Sequence, residues 1–326
     1  MGEIMLSKEA IKSKKKFKRV GWLIKAIALN PTKLSRMKVA FQRMNYEFIV
    51  GKLPKKSSGA TFTQLKLGGI NTYKVSTPNS DPEKILLYFH GGAYIAGSPA
   101  AYYPMMSHLA KATGFTIYVP DYRLAPEHHF PSQLNDGLKT YNALIDELGY
   151  SANQIAFGGD SAGGNLALVT ILKLKEAGSD LPSSVICLSP WADPAATGES
   201  YNDETCAKDI VLGPIFAKVW KEYNTRTYLT YYVKDEEMNE NNPYICPIKG
   251  DFSGCPPVMV HVGSDELLLS DSRLLIKAFE SVNLEYEYKE WDGLWHVFQM
   301  ESHMPEAKQS FSDFAEFLNL HIGSKV

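Results

Sequence analysis

Phe157-Gly158-Gly159-Asp160-Ser161-Ala162-Gly163-Gly164-Asn165 is the stretch on which the fold turns. It holds a Gly-x-Ser-x-Gly string, Gly159 to Gly163, with the apolar run Gln154 to Phe157 before it and the helix-like run Asn165 to Leu172 after it. Alone, such a string is common in loops. Between a strand and a helix it marks a sharp turn that lifts a nucleophilic serine above the C-terminal edge of a sheet. The glycines have a steric task there, because strand and helix approach closely and the serine backbone is strained.

The flanking chain repeats this strand-then-helix rhythm. Lys84–Phe89, Phe115–Val119, Ile155–Phe157, Ser184–Leu188, Val258–Val262 and Glu285–Lys289 read as strands. Thr61–Leu67 and Asn71–Thr77 alternate around Gly68-Gly69 as an antiparallel pair. Helices are expected at Ser132–Leu148 and about Pro305–His321. The sum is an α/β fold: a mostly parallel eight-stranded sheet with helices on both faces. The chain reads as a single domain, 1–326, with two additions. Residues 1–45 form two helical pieces divided at Pro31, and in the second Leu34, Met37, Phe41 and Met44 share a face while Val39 falls off it. The interval from about Ala192 to Pro257 breaks the rhythm, with a helical piece near Leu212–Tyr223. It is too long for a plain connection. Residues 1–45, with an excursion within about 192–235, are therefore expected to form a helical cap.

With 326 residues, 44% hydrophobic and a formal charge of -2, the chain is an ordinary globular one without the basic excess of a nucleic-acid binder. The charge is uneven: residues 1–44 carry 12 Lys/Arg against 2 Asp/Glu, about +10, leaving about -12 elsewhere. Cys187, Cys206, Cys246 and Cys255 form no C-x-x-C pair, which fits a reducing compartment. The basic run Lys14–Arg19 precedes only a short apolar stretch broken by Lys25, and no span approaches the ~20 apolar residues of a membrane helix. A cytoplasmic protein, monomer or homodimer, is expected. The basic N-terminal segment also admits contact with a membrane surface, a less favoured reading.

A serine hydroxyl needs a base, an acid to orient that base, and donors for the oxyanion. His90-Gly91-Gly92-Ala93-Tyr94 follows a buried strand directly, so the amides of Gly91 and Gly92, with that of Ala162, are the expected oxyanion donors. Of the eight histidines, His296 sits in a glycine-containing loop after the last strand and is the expected base, with His303 as runner-up. The acid should follow another strand, between serine and histidine in chain order. Asp265 in Gly263-Ser264-Asp265-Glu266 is the expected choice, with Glu266 pointing elsewhere.

With these strings in place, the chain resembles the hormone-sensitive-lipase branch of the α/β-hydrolases, in its bacterial-type esterase subgroup with the G-D-S-A-G elbow. The matching strings run from about Leu86 to Phe298. Besides those above they are Asp121-Tyr122-Arg123-Leu124-Ala125-Pro126-Glu127 with Phe130-Pro131, Ser189-Pro190-Trp191-Ala192-Asp193, and His296-Val297-Phe298. The resemblance implies Ser161 as nucleophile, His296 as base, Asp265 as acid, an oxyanion hole at Gly91, Gly92 and Ala162, and a cap from the N-terminal helices. Two departures stand out: Ala93 replaces a frequent third glycine, and Asp265-Glu266-Leu267 replaces a frequent Asp-Pro-Leu. The implied activity is hydrolysis of short- to medium-chain carboxylic esters, lactones or acetylated metabolites, with no metal or cofactor. Tyr94, Met37, Phe41 and Leu212 are candidate pocket residues. Arg123 and Glu127 are read as a scaffold ion pair. The alternatives are a membrane-surface lipase and a non-catalytic ligand-binding receptor, such as the relatives that have lost the catalytic histidine.

Overall fold

The computed structural model describes residues 6–27, 39–40, 43–44, 59–214, 231–234 and 239–323. Its eight strands are β1 (Thr61–Leu67), β2 (Ile70–Ser76), β3 (Asp81–Phe89), β4 (Phe115–Pro120), β5 (Ile155–Asp160), β6 (Val185–Leu188), β7 (Val258–Gly263) and β8 (Tyr286–Trp291). They form one sheet in the order β1-β2-β4-β3-β5-β6-β7-β8. The β1–β2 and β2–β4 pairs are antiparallel, and every pair from β4 to β8 is parallel.

Parallel strands need crossovers, and helices supply them on both faces. The strand interiors show this as period-two sorting. Ile85, Leu87, Phe89, Phe157 and Val260 enter one core cluster, while Leu86, Tyr88, Ala156, Ile186 and Met259 enter the other. Helices α3 (Ser132–Asp146), α4 (Ala162–Glu176) and α6 (Leu269–Ser281) cover the first face. Helices α2 (Tyr103–Thr113) and α7 (Pro305–His321) cover the second. Both faces of the central strands are thus dry, which is why β4 to β7 read as continuous apolar runs and are buried at every position.

The N-terminal helix α1 (Lys8–Ile27) lies outside these layers. Its Ala10 and Phe17 pack against Leu294, Trp295 and Phe298, together with Ile210 and Val211 from the excursion after β6, which includes the short helix α5 (Asp203–Lys208). Polar contacts fix it further. Ser7 donates to Glu306 from both its amide and its hydroxyl, each at 2.8 Å, and Ser13 donates to Glu301 at 3.0 Å. In the second N-terminal piece, Val39 is the buried residue at 1% exposure and Met44 is 59% exposed, the reverse of the expected stripe. Most of that piece, with Met37 and Phe41, and most of the expected helix at 212–223 lie outside the described residues.

The tightest constraint is at the β5–α4 turn. A Cβ on Gly163 would stand 1.9 Å from the Phe89 carbonyl oxygen, and one on Gly159 would stand 2.2 Å from that of Gly163. Backbone blocks both, so no rotamer change relieves the clash. Gly163→Ala is therefore expected to cost at least about 2 kcal/mol, within the usual range for overpacking. The denaturation midpoint in urea reads this, and an unchanged midpoint would contradict the close approach of β3 and α4.

Candidate active site

Ser161 sits between β5 and α4 with φ 53° and ψ -120°, a strained conformation for a residue with a side chain. It is held from one direction. Its amide donates to the Leu188 carbonyl at 2.9 Å, and its own carbonyl accepts from Trp191 at 2.9 Å. The segment after β6 therefore clamps the turn. Ala162 is the first residue of α4, so its N–H has no partner within the helix.

Beyond β3, three successive residues have positive φ: Gly92 at 120°, Ala93 at 54° and Tyr94 at 62°. Such a run curls the backbone so that successive amides converge on one concavity. Gly91 does not take part as expected. Its amide donates to the Tyr102 hydroxyl at 2.9 Å and to Asp160 Oδ1 at 3.1 Å. Glycine is needed there for proximity, since a Cβ would stand 2.3 Å from Asp160 Oδ2. The amides of Gly92, Ala93 and Ala162 have no acceptor among the described residues.

Asp160 is itself buried and also accepts from Tyr88 at 2.9 Å and Tyr102 at 2.7 Å. Burial pushes its carboxyl up to about 6, against the pull of these hydrogen bonds and of His296. Asp160 thus ties the loop after β3 to the turn after β5.

The acid beside His296 is Glu266, not Asp265. His296 Nδ1 lies 3.1 Å from Glu266 Oε1, with the Glu266 side chain 0% exposed. Glu266 Oε2 accepts from Ser189 Oγ at 2.8 Å and from the Gly263 amide at 2.9 Å. Ser189 Oγ in turn accepts from the Val297 amide at 3.1 Å. Asp265 points the other way, 22% exposed, and pairs with Lys14 of α1 at 2.5 Å. Lys14 also donates to the Gly293 carbonyl at 2.9 Å. Adjacent side chains at the end of a strand diverge, so one of the two acids had to face the interior and one the surface. Which was which depended on α1, more than 200 residues away along the chain. A third acid, buried Asp209, accepts from the amides of Leu267, Val211 and Leu212 and so binds the excursion to the acid loop.

Tyr94 is fully buried, donates to Asn165 at 2.7 Å and stacks on Tyr232 at 4.1 Å. Leu212 is half-buried against the core, with its amide held by Asp209. Arg123 does not pair with Glu127. It grips buried Asp136 through two nitrogens, the shortest contact at 2.7 Å. Glu127 pairs instead with Arg43 at 2.7 Å, which also donates to the Ile95 and Ala125 carbonyls. His303, the runner-up base, is partly exposed beside Glu301. His90 is buried in a stack with Tyr122, and burial pulls it down to about 4.

This arrangement defines a class before any comparison: a parallel α/β sheet with a serine elbow, free loop amides and a buried acid–histidine pair. A family model for the alpha/beta hydrolase fold matches residues 86–300. An esterase of Acinetobacter venetianus is 33% identical over 254 residues, 78% of this chain and 80% of that one. An acetyl-hydrolase of Streptomyces hygroscopicus is 31% identical over 247 residues, 76% and 79% of the two chains. The solved structure of an esterase from the bacterial hormone-sensitive lipase family superposes with TM-score 0.81 at 31% identity, over 95% of this chain and 99% of that one. The chain belongs to the α/β-hydrolase family, in its hormone-sensitive-lipase-like branch of serine esterases. Its activity is that of a carboxylic ester hydrolase.

Burial alone would pull the His296 imidazole down. The Glu266 carboxylate, helped by the charges of Asp209 and Asp160, more than offsets this, and His296 titrates above its ordinary 6.5. A histidine raised in this way stabilises the fold fully below pH 6.5 and loses that contribution as pH climbs through the raised value. Glu266→Gln removes the charge and keeps the shape, so the His296 titration should move to lower pH. NMR of the imidazole ring measures it, and a titration that does not move would sink the assignment of Glu266 as its main partner.

Proposed function

We propose that Ser161 is the nucleophile, His296 the general base and Glu266 the orienting acid. The observation that carries this is the buried pairing of Glu266 with His296, stapled by Ser189 to the same segment that clamps Ser161. His296 takes the Ser161 proton as the hydroxyl attacks the ester carbonyl. The oxyanion rests on the amides of Gly92, Ala93 and Ala162. Each such donor is typically worth about 3 kcal/mol of barrier. His296 then protonates the leaving alcohol, and water releases the acyl group by the reverse steps. Glu266 holds the imidazole tautomer and stabilises the imidazolium.

The substrates on this reading are esters of short- to medium-chain acids. The relative named for acetyl hydrolysis supports the short end of that range. Residues 1–45 and the excursion after β6 act as the cap, supported by the contact of Ala10 and Phe17 of α1 with Ile210, Val211 and the loop that carries His296. No disulfide joins Cys187, Cys206, Cys246 and Cys255, which supports a reducing compartment, with the cytoplasm the natural choice. No helix among the described residues is long and apolar enough to cross a membrane.

Rates on nitrophenyl esters of increasing chain length test the assignment. Ser161→Ala should abolish hydrolysis, and Glu266→Ala should lower kcat about 10³- to 10⁴-fold. Asp265→Ala should cost less than about tenfold, since that carboxylate meets Lys14 and not the imidazole. Equal losses in the two acid variants would reject Glu266 as the triad acid. Ser189→Ala should lower kcat with KM little changed, because the hydroxyl positions Glu266 and the His296 loop without facing substrate. A change confined to KM would place Ser189 in the binding pocket instead.

A further inference from the structure

Helix α1 has two faces with different tasks. The inner face carries Ala10, Ser13 and Phe17, with Lys14 at its margin turned toward Asp265 and Gly293. The outer face carries Lys8, Lys12, Lys15, Lys16, Lys18 and Arg19, all exposed. At about 100° per residue, Lys8, Lys12, Lys15, Lys16 and Arg19 fall within an arc of about 100°, opposite the buried side chains. Lys14 is the α1 cation with an acidic partner among the described residues. Glu9 is the acidic residue that α1 exposes. Ile11 stands among these cations at 43% exposure. A groove of about 750 Å³ runs along this face, lined by Lys8, Lys12, Lys15, Lys16 and Arg19 and closed on the far side by Glu301 and His303.

We propose that the outer face of α1 docks the enzyme on an anionic phospholipid surface. The charge is of the right sign and density: clusters of four to eight Lys/Arg on an amphipathic helix are drawn to the anionic lipids of a bilayer. An aliphatic side chain among the cations suits the boundary between headgroups and acyl chains, where Ile11 would be dehydrated. The groove gives lipid phosphates a walled place among several ammonium groups, which a flat, solvated lysine face would not. Nor is the helix a loose basic tail. Its inner face is latched to the Asp265, Gly293 and Glu301 loops, so docking would hold the His296 end of the molecule against the bilayer, where apolar esters partition. This deepens the esterase reading by naming where its substrate is met. Binding is read without hydrolysis, so its failure leaves that reading standing.

The test is co-sedimentation of the full chain with vesicles of phosphatidylcholine alone and of phosphatidylcholine with phosphatidylglycerol, at low and high salt. The wild type should pellet with the anionic vesicles at low salt and be released at high salt, as screening requires. It should stay in solution with phosphatidylcholine alone. Lys12→Glu with Lys16→Glu should weaken binding at least about tenfold, while the melting temperature and the hydrolysis of a water-soluble ester stay unchanged. Ile11→Ser alone should weaken it less than the charge reversals. Three results would each overturn the proposal: no pelleting with anionic vesicles, equal pelleting with neutral ones, or a double variant that pellets like the wild type. Tighter binding to duplex DNA than to the anionic vesicles would also overturn it, in favour of a general polyanion surface.

Discussion

A carboxylate with no exposed surface is costly unless donors surround it. Glu266 meets that requirement with His296, Ser189 and the Gly263 amide, and much of the molecule is arranged around doing so. β7 ends at Gly263, whose amide the glutamate takes. β6 ends just before Ser189, whose hydroxyl it takes. The loop after β8 delivers His296. Three neighbouring parallel strands thus contribute one group each, and their register decides whether those groups meet. Ser189 makes the arrangement cooperative, since it donates to Glu266 while accepting from Val297. Loss of any one member leaves another buried polar group without a partner.

Asp160 does a parallel job on the other side of the serine. It gathers Tyr88, Tyr102 and the Gly91 amide, and so locks the loop after β3 against the turn after β5. The glycine at 91 serves this lock by letting the carboxylate close. The amides of Gly92 and Ala93 beyond it, where the positive φ values begin, have no acceptor among the described residues. One buried acid holds His296, and the other holds the loop after β3.

The helix at the N-terminus joins this core through a polar latch. Lys14 reaches both Asp265 in the loop after β7 and the carbonyl of Gly293 in the loop that carries His296. Arg43 makes a similar reach to Ile95 and Ala125 beside the oxyanion loop. Two basic side chains from the first 44 residues thus end at the two halves of the site. The excess positive charge of that segment is partly structural, while Lys8, Lys12, Lys15, Lys16, Lys18 and Arg19 face outward on α1.

The strands and the serine turn were legible in the sequence because their signals are local. A run of apolar residues ending in Gly-x-Ser-x-Gly constrains its own backbone, and all eight strands appear within a few residues of where their patterns put them. The choice between Asp265 and Glu266 was not local. Both are carboxylates at the end of β7, and only the positions of Lys14, Ser189 and His296 separate them. The same holds for the amide of Gly91 against that of Ala93, for the partners of Arg123 and Glu127, and for the stacking of Tyr94 on Tyr232. Sequence determined which chemistry this protein carries, since elbow, glycine loop and histidine loop are each written in consecutive residues. Tertiary structure decided which acid lies beside His296 and which loop amides are left without an acceptor among the described residues, because a side chain's partner depends on segments that only folding brings together.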